Sequence, residues 1–310
     1  MCSRWRDVLY RPSLWQGVTP VVYCRQLDVD SARRSHFASI ERRGFDSMRL
    51  VAALDSDIDT LEELVPLHAS THITDLSVRC SNVSDAGLER LLGLMAAVVN
   101  LDLSGCNELT EAGLWTALAR PRIVVLSISD CINVADDTVA AIAQLLPHLR
   151  ELNLQAYHVT DAALALFGSP GANAGVGGGA GVVAQGGRPL RTLRLHSCWE
   201  ITNHGILNVV RTLPSLTVLS LSGCSKVTDD GVEVIAENLR QLRVLDLSWC
   251  SRISDAGLEY IACDLGQLEE LSLDRSVRCT TEMTMMSTLH FYCSRSDVIS
   301  NISFKNYVNR

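Results

Sequence analysis

Apolar and polar residues alternate over short stretches of this chain, and the alternation returns at a nearly fixed distance. In a block of the form leucine-x-x-leucine-x-leucine-x-x-cysteine, the fourth position falls at Leu76, Leu101, Leu126, Leu152, Leu193, Leu219, Leu245 and Leu271. The intervals are 25, 25, 26, 41, 26, 26 and 26 residues. Inside each block the period is two, which is the pattern of a half-buried strand: Leu219 and Leu221 point inward, Ser220 and Ser222 outward. The period then changes. Thr228 before Asp229 and Ser254 before Asp255 predict helix N-caps with an acid in the first turn, and Val234, Ile235 and Ala236 are expected to close the inner face of the helix. Gly231 and Gly257 fall in that first turn, where glycine costs helix propensity, so close packing against the neighbouring coil is the expected reason for them.

The same grammar reads at Ser84-Asp85-Ala86-Gly87-Leu88, Thr110-Glu111-Ala112-Gly113-Leu114, Ala135-Asp136-Asp137, Thr160-Asp161-Ala162-Ala163-Leu164 and Thr202-Asn203-His204-Gly205-Ile206. An eighth unit begins at Leu268 and loses the pattern after Cys279, and a degenerate early unit is expected near Phe45 with Met48 and Leu50 as its strand. A period of 20 to 29 residues with this content marks a leucine-rich-repeat solenoid. The expected fold is therefore α/β: a curved parallel sheet on the concave side and helices on the convex side. The one long interval contains GSPGANAGVGGGAGVVAQGGRP, read as a flexible glycine-rich insertion at 168–189. The expected organisation is an N-terminal remnant at 1–16, a linker with a degenerate repeat at 17–72, the solenoid at 73–279 and an irregular tail at 280–310.

Composition narrows the function. A net charge of −8 and a pI near 5.5 leave no basic stripe for phosphates, so nucleic acid is not an expected partner. No apolar run approaches the roughly 20 residues that span a bilayer, and the first residues lack a signal peptide's apolar run, so no membrane is expected and the chain reads as intracellular, cytoplasmic or nuclear. Of eleven cysteines, Cys106, Cys131, Cys198, Cys224 and Cys250 share one repeat position, with Tyr157 and Ser276 substituting. Stacked strands lie about 4.8 Å apart. Two thiolates on one zinc must approach within roughly 4 Å, so this column reads as small buried hydrophobes and neither metal nor cofactor is expected.

Candidate chemistry lies on the sheet's concave face. Its outward columns contain Asp102, Asn153, Arg194 and Asp246, then Gln155, His196 and Asp274, with Asp130, Trp249 and Arg275 beside them and Trp199 just beyond its cysteine. These are the expected partner-binding residues, led by Trp249, Arg194 and Arg275, because tryptophan and arginine dominate binding hot spots. No catalytic constellation stands out: His196 and His204 have no nucleophile or orienting group at a telling spacing, and the helix-start aspartates recur once per repeat as capping does. A non-enzymatic role is expected.

The cysteine at the turn followed by threonine-aspartate-x-glycine-leucine resembles the cysteine-containing leucine-rich repeats of F-box proteins, as do SGCNELTEAGLW, SDCINVADD, SCWEITNHG and LSLSGCSKVTDDGVEVIAENL. The N-terminal MCSRWRDVLYRPSLW, with Cys2, Arg4, Trp5, Leu9, Tyr10, Pro12, Leu14 and Trp15, looks like the closing part of an F-box. The resemblance covers about residues 1–279 apart from the insertion. It implies a substrate-recognition subunit of a Skp1–cullin–F-box ubiquitin ligase, with Skp1 and cullin as partners where a longer form completes the F-box, Trp5, Leu9, Leu14 and Trp15 as the Skp1-binding residues, and an unidentified protein on the repeats. The alternative is a leucine-rich-repeat scaffold or regulator of a partner enzyme without ligase activity, in which Trp5 and Trp15 pack the remnant onto the first repeats.

Overall fold

The computed structural model describes residues 8–26, 30–64, 72–120, 122–168, 189–275 and 301–303. Cys2, Arg4, Trp5, the glycine-rich residues 169–188, Ser276, Cys279 and the rest of the tail around 301–303 lie outside the described residues. The chain divides into two compact units, Met1–Asn133 and Val134–Arg310.

The first unit alternates β1 (Val21–Tyr23), α1 (Asp30–Arg43), β2 (Ser47–Val51), α2 (Asp55–Leu64), β3 (Asp75–Arg79), α3 (Asp85–Leu94), β4 (Asn100–Asp102), α4 (Glu111–Leu118) and β5 (Val125–Ser129). Its strands pair in chain order, all parallel, and Met48, Leu76, Leu101 and Leu126 stand in one register. The second unit alternates α5 (Asp136–Leu145), β6 (Glu151–Gln155), α6 (Asp161–Ala165), β7 (Thr192–His196), α7 (Asn203–Thr212), β8 (Val218–Ser220), α8 (Asp229–Asn238), β9 (Val244–Asp246), α9 (Asp255–Asp264), β10 (Glu270–Ser272) and β11 (Asn301–Ser303). These strands are also parallel and in order, with Leu152, Leu193, Leu219, Leu245 and Leu271 aligned. All these leucines are buried, as the strand period requires.

Four local readings are corrected by the structure. The stretch 17–72, read as linker and one degenerate repeat, contains two strands and two helices; Val22, Phe37, Met48, Ile58 and Leu61 fill its core, so its burial is real but the leucine signature is diluted. On α8 it is Val232 that joins Ile235 and Ala236 in the core, because those positions follow the i, i+3, i+4 spacing of one helix face while Val234 turns half out. Tyr157 does not replace the turn cysteine: the β6 turn is one residue shorter, Ala156 takes the buried place and Tyr157 is exposed. The tail, expected to be irregular, supplies β11, whose backbone pairs with β10 in the register Leu271 to Ile302.

Repeats are bracketed to one another at the helix starts. Asp229 Oδ1 accepts the Ser254 backbone N–H at 2.8 Å, and Oδ2 accepts the Ser254 hydroxyl at 2.6 Å. Asp161 holds Thr202 at 2.8 and 2.6 Å, Asp136 holds Thr160 at 2.7 and 2.6 Å, and Asp85 holds Thr110 at 2.8 and 2.5 Å. Where Asn203 stands in for aspartate, its Oδ1 accepts the Thr228 N–H at 3.1 Å and its Nδ2 donates to the Thr228 hydroxyl at 2.7 Å, and Thr228 makes no side-chain cap bond in its own helix. The aspartate expected as an ordinary first-turn acid is thus an acceptor for the next repeat's N-cap residue. The glycine three residues after that cap makes room for it: a Cβ on Gly257 would sit 2.6 Å from Asp229 Oδ1, and one on Gly205 or Gly113 would come closer still to Asp161 or Asp85.

The cysteine column does related work at the other end of each strand. The thiols of Cys106, Cys131, Cys224 and Cys250 donate to the carbonyls of Val78, Leu103, Leu195 and Leu221 one repeat earlier, at 2.8, 3.2, 3.3 and 3.1 Å. Burial pushes their acidity down: the pKa rises to about 12 at Cys106 and Cys250 and to about 11 at Cys198, with Cys131 and Cys224 raised for the same reason.

Two outcomes follow from these ladders. Helix propensity alone would make Gly257→Ala stabilising by about 1 kcal/mol, but overpacking against Asp229 makes it destabilising by about 1–3 kcal/mol in urea unfolding; combining it with Asp229→Ala, which removes the clash, should cost about 1 kcal/mol less than the sum of the single changes. An additive pair would refute the bracket. For the thiols, an unfolded cysteine ionises near pH 8.5 while the folded one keeps its proton, so their contribution is intact below that pH and is lost as pH climbs toward 11–12, by up to about 1.4 kcal/mol per pH unit per thiol. The fall in stability between pH 9 and 10 should be shallower in Cys250→Ala than in the parent chain.

Candidate functional site

After the second inward residue of most strands the backbone turns through positive φ. In the second unit this place is taken by Ser197 (50°), Gly223 (77°), Trp249 (62°) and Arg275 (54°); in the first, by Cys80, Gly105 and Asp130 among others. Glycine occupies such a conformation at little cost, whereas a side chain there costs about 1–2 kcal/mol. The turn persists because its amide is tied to the next repeat: the N–H groups of Ser197, Gly223 and Trp249 donate to the carbonyls of Ser222, Ser248 and Asp274 at 2.7, 2.8 and 2.8 Å.

The consequence is a rim of exposed side chains beside the sheet. Trp249 is 53% exposed although its neighbours Leu247 and Cys250 are fully buried. The Arg275 guanidinium stands 4.5 Å from its ring centroid, a cation–π contact. Trp199, also 53% exposed, stacks on Tyr157 at 4.7 Å between centroids. That pair exists because the short β6 turn moves Tyr157 into the place that Trp199 occupies one repeat later. Between these aromatic groups lies a cleft of about 450 Å³ lined by Gln155, His196, Ser197, Trp199, Ser222 and Trp249, with Gly223 and Ser225 on the same turn.

The residues expected from the sequence fall into separate groups. Gln155, His196 and Trp249 meet at the cleft, and Arg275 and Asp274 adjoin it through Trp249. Asp246 is engaged inside the chain, accepting from the Ser220 hydroxyl at 2.8 Å and the Ser248 N–H at 3.0 Å. Arg194 lies 3.9 Å from Glu151, and Asn153 follows on the same strand as Glu151. Asp102 and Asp130 belong to the first unit; Asp102 accepts from the hydroxyls of Ser77 and Ser104 at 3.0 and 2.6 Å. The sequence reading missed a third outward column, which includes Glu151, Val218, Val244 and Glu270; extending the period-two alternation one residue earlier in each strand would have found it.

At the N-terminus, Leu9 and Leu14 are exposed, as are Val18, Val21 and Tyr23. Trp15 is engaged: its indole N–H donates to the Leu9 carbonyl at 2.7 Å, its ring lies 5.4 Å from that of Phe45, and Arg43 stacks 4.9 Å from both Tyr10 and Trp15. Trp5 lies outside the described residues.

A model described as a leucine-rich repeat matches residues 69–92, 212–236 and 238–262. A chain from the crystal structure of the Rad7 and Elc1 complex in yeast superposes with a TM-score of 0.53 at 14% identity, covering 99% of this chain and 92% of that one. The fold is a leucine-rich-repeat solenoid. Repeats of this kind form protein-interaction modules, and among the described residues no helix is long and apolar enough to cross a membrane.

If Trp249 is held in a strained turn for the sake of its exposed ring, glycine should relieve the strain. Trp249→Gly is expected to be more stable than Trp249→Ala by about 1 kcal/mol in thermal or urea unfolding, since both lose the ring and only alanine keeps the unfavourable φ. Equal stabilities would remove the claim of strain.

Proposed function

We propose that this chain is a non-catalytic substrate-recognition subunit of a Skp1–cullin–F-box ubiquitin ligase, holding a protein on the repeats for ubiquitination. The observation that supports recognition most directly is the pair of exposed indoles beside a polar cleft, since half-exposed tryptophans next to hydrogen-bonding groups are the anchors that bind proteins. The ligase part rests on the resemblance of the cysteine-containing repeats and the N-terminal segment to F-box proteins, together with the exposed Leu9 and Leu14, which leave apolar surface available to an adaptor. A protein of the same fold has been crystallised with a protein partner, Rad7 with Elc1, which fits a role in assembly.

The engagement of Trp15 with Phe45 and Arg43 favours a second reading. A ring already packed onto the first repeats is less available to Skp1, and the chain then acts as a scaffold or regulator of a partner enzyme.

Purified Skp1 separates the two. Skp1 is expected to be retained by the immobilised chain, and Leu9→Ala/Leu14→Ala should reduce retention at least about tenfold without shifting the melting temperature, as loss of two exposed apolar anchors implies. If the folded chain does not bind Skp1, the ligase role falls and the scaffold reading stands.

A further inference from the structure

We propose that the cleft between Trp199 and Trp249 receives an arginine side chain presented on a basic segment of the partner protein. The proposal rests on the protein-recognition reading above and names the chemistry of what is recognised.

The lining selects for a guanidinium in three ways. A guanidinium has five N–H donors and no acceptor. The cleft offers acceptors in the hydroxyls of Ser197, Ser222 and Ser225, together with two half-exposed indoles whose faces attract cations. The chain already shows this preference within itself: Arg275 stacks at 4.5 Å on Trp249, and the residue remains 53% exposed with that contact in place, so surface remains for a second group.

Charge points the same way. On the outward rows of β6 to β10 and the turns that follow them, Glu151, Glu200, Asp246, Glu270 and Asp274 stand against Arg194, Lys226, Arg252 and Arg275, and the whole chain carries −8. That field attracts a basic segment and opposes an acidic one. The lining itself contains no carboxylate. A lysine ammonium, a strongly hydrated point charge, would enter without a counter-ion, whereas the weakly hydrated planar guanidinium stacks on aromatic faces and spreads its donors over neutral acceptors. Arginine is therefore the better occupant of an uncharged aromatic cleft set in an acidic chain.

The test uses the full chain and three fluorescein-labelled nonapeptides of glycine and serine that carry, at the centre, two arginines, two lysines or three prolines. Titration is expected to give tightest binding for the arginine peptide, about tenfold over the other two, with quenching of indole emission. Trp199→Ala and Trp249→Gly should each weaken it about tenfold while the melting temperature holds or rises. Equal binding of lysine and arginine peptides would leave only acidic attraction, and better binding of the proline peptide would assign the cleft to a polyproline segment; either overturns the proposal. Wild-type affinity for the arginine peptide in both tryptophan variants overturns it as well. If the variants lose a co-purifying partner protein but the arginine peptide never binds, the recognition reading survives and the arginine assignment is wrong.

Discussion

Most repeats are fastened to the next by one side chain at a helix start, usually a carboxylate, and much of the remaining geometry depends on that bracket. An aspartate at the start of a helix accepts both the backbone N–H and the hydroxyl of the following repeat's N-cap residue, as Asp229 does with Ser254. This satisfies a helix-end donor that would otherwise need a cap from its own chain segment, and it fixes the spacing of adjacent helices to a hydrogen-bond length. At 113, 205 and 257 glycine in the next helix accompanies the same contact, because the carboxylate occupies the space a Cβ would need, whereas the Asp136–Thr160 bracket forms with alanine at 163. Threonine or serine, aspartate and glycine therefore form one device read across two repeats. The device lapses in the sequence at Glu111 and Ala135: the alanine has no oxygen to offer, and Thr138, standing where glycine is usual, buries a hydroxyl without a hydrogen-bond partner.

A second constraint acts at the opposite end of the strands. The thiols of Cys106, Cys131, Cys224 and Cys250 reach back to a carbonyl of the preceding repeat, while that of Cys198 donates to His196 in its own, and the residue just before the cysteine adopts positive φ. Cysteine suits this place because it is small, tolerates full burial and still donates weakly, while burial suppresses its ionisation and hence its reactivity. The forced turn throws the preceding side chain outward. What that side chain is becomes free to vary, and the chain places glycine at 223 but tryptophan and arginine at 249 and 275. Backbone strain at Trp249 is tolerated because two inter-repeat hydrogen bonds over-determine the turn, which is the circumstance in which a strained residue can be kept for its surface.

Much of this was legible in the sequence, for a physical reason. Strand and helix positions follow from hydrophobic period, which is a local property, so Leu219, Leu245 and the helices after them could be placed from spacing alone. Gly231 and Gly257 announced close packing, but the atom they accommodate belongs to another repeat and no local rule names it. The β6 turn was misread because one missing residue moves Tyr157 from the buried cysteine place to the exposed place beside Trp199, and periodicity measured between leucines absorbs such a deletion without trace. The N-terminal strands were under-read because Val22, Phe37 and Met48 fill core positions without the leucine spacing. Trp249 and Arg275 were singled out by residue type; that they stack on one another and adjoin a cleft with Trp199 depends on turns whose handedness the sequence does not spell out.

The distribution of satisfied and unsatisfied surface decides which part of the face does the recognising. Asp246 is held by Ser220 and Ser248, and Arg194 stands near Glu151, so the strand rows are largely bonded among themselves. A partner that lands on them must break or share existing hydrogen bonds, and such exchanges return little net free energy. The aromatic rim differs. Trp199 and Trp249 hold apolar surface in water with half of each side chain uncovered, and covering that area is favourable at about 25 cal/mol per Å² without breaking any bond the chain now makes. Affinity should therefore reside in the rim and orientation in the pre-bonded rows, an arrangement in which the strained turns supply the anchors and the bracketed repeats keep them at fixed separation.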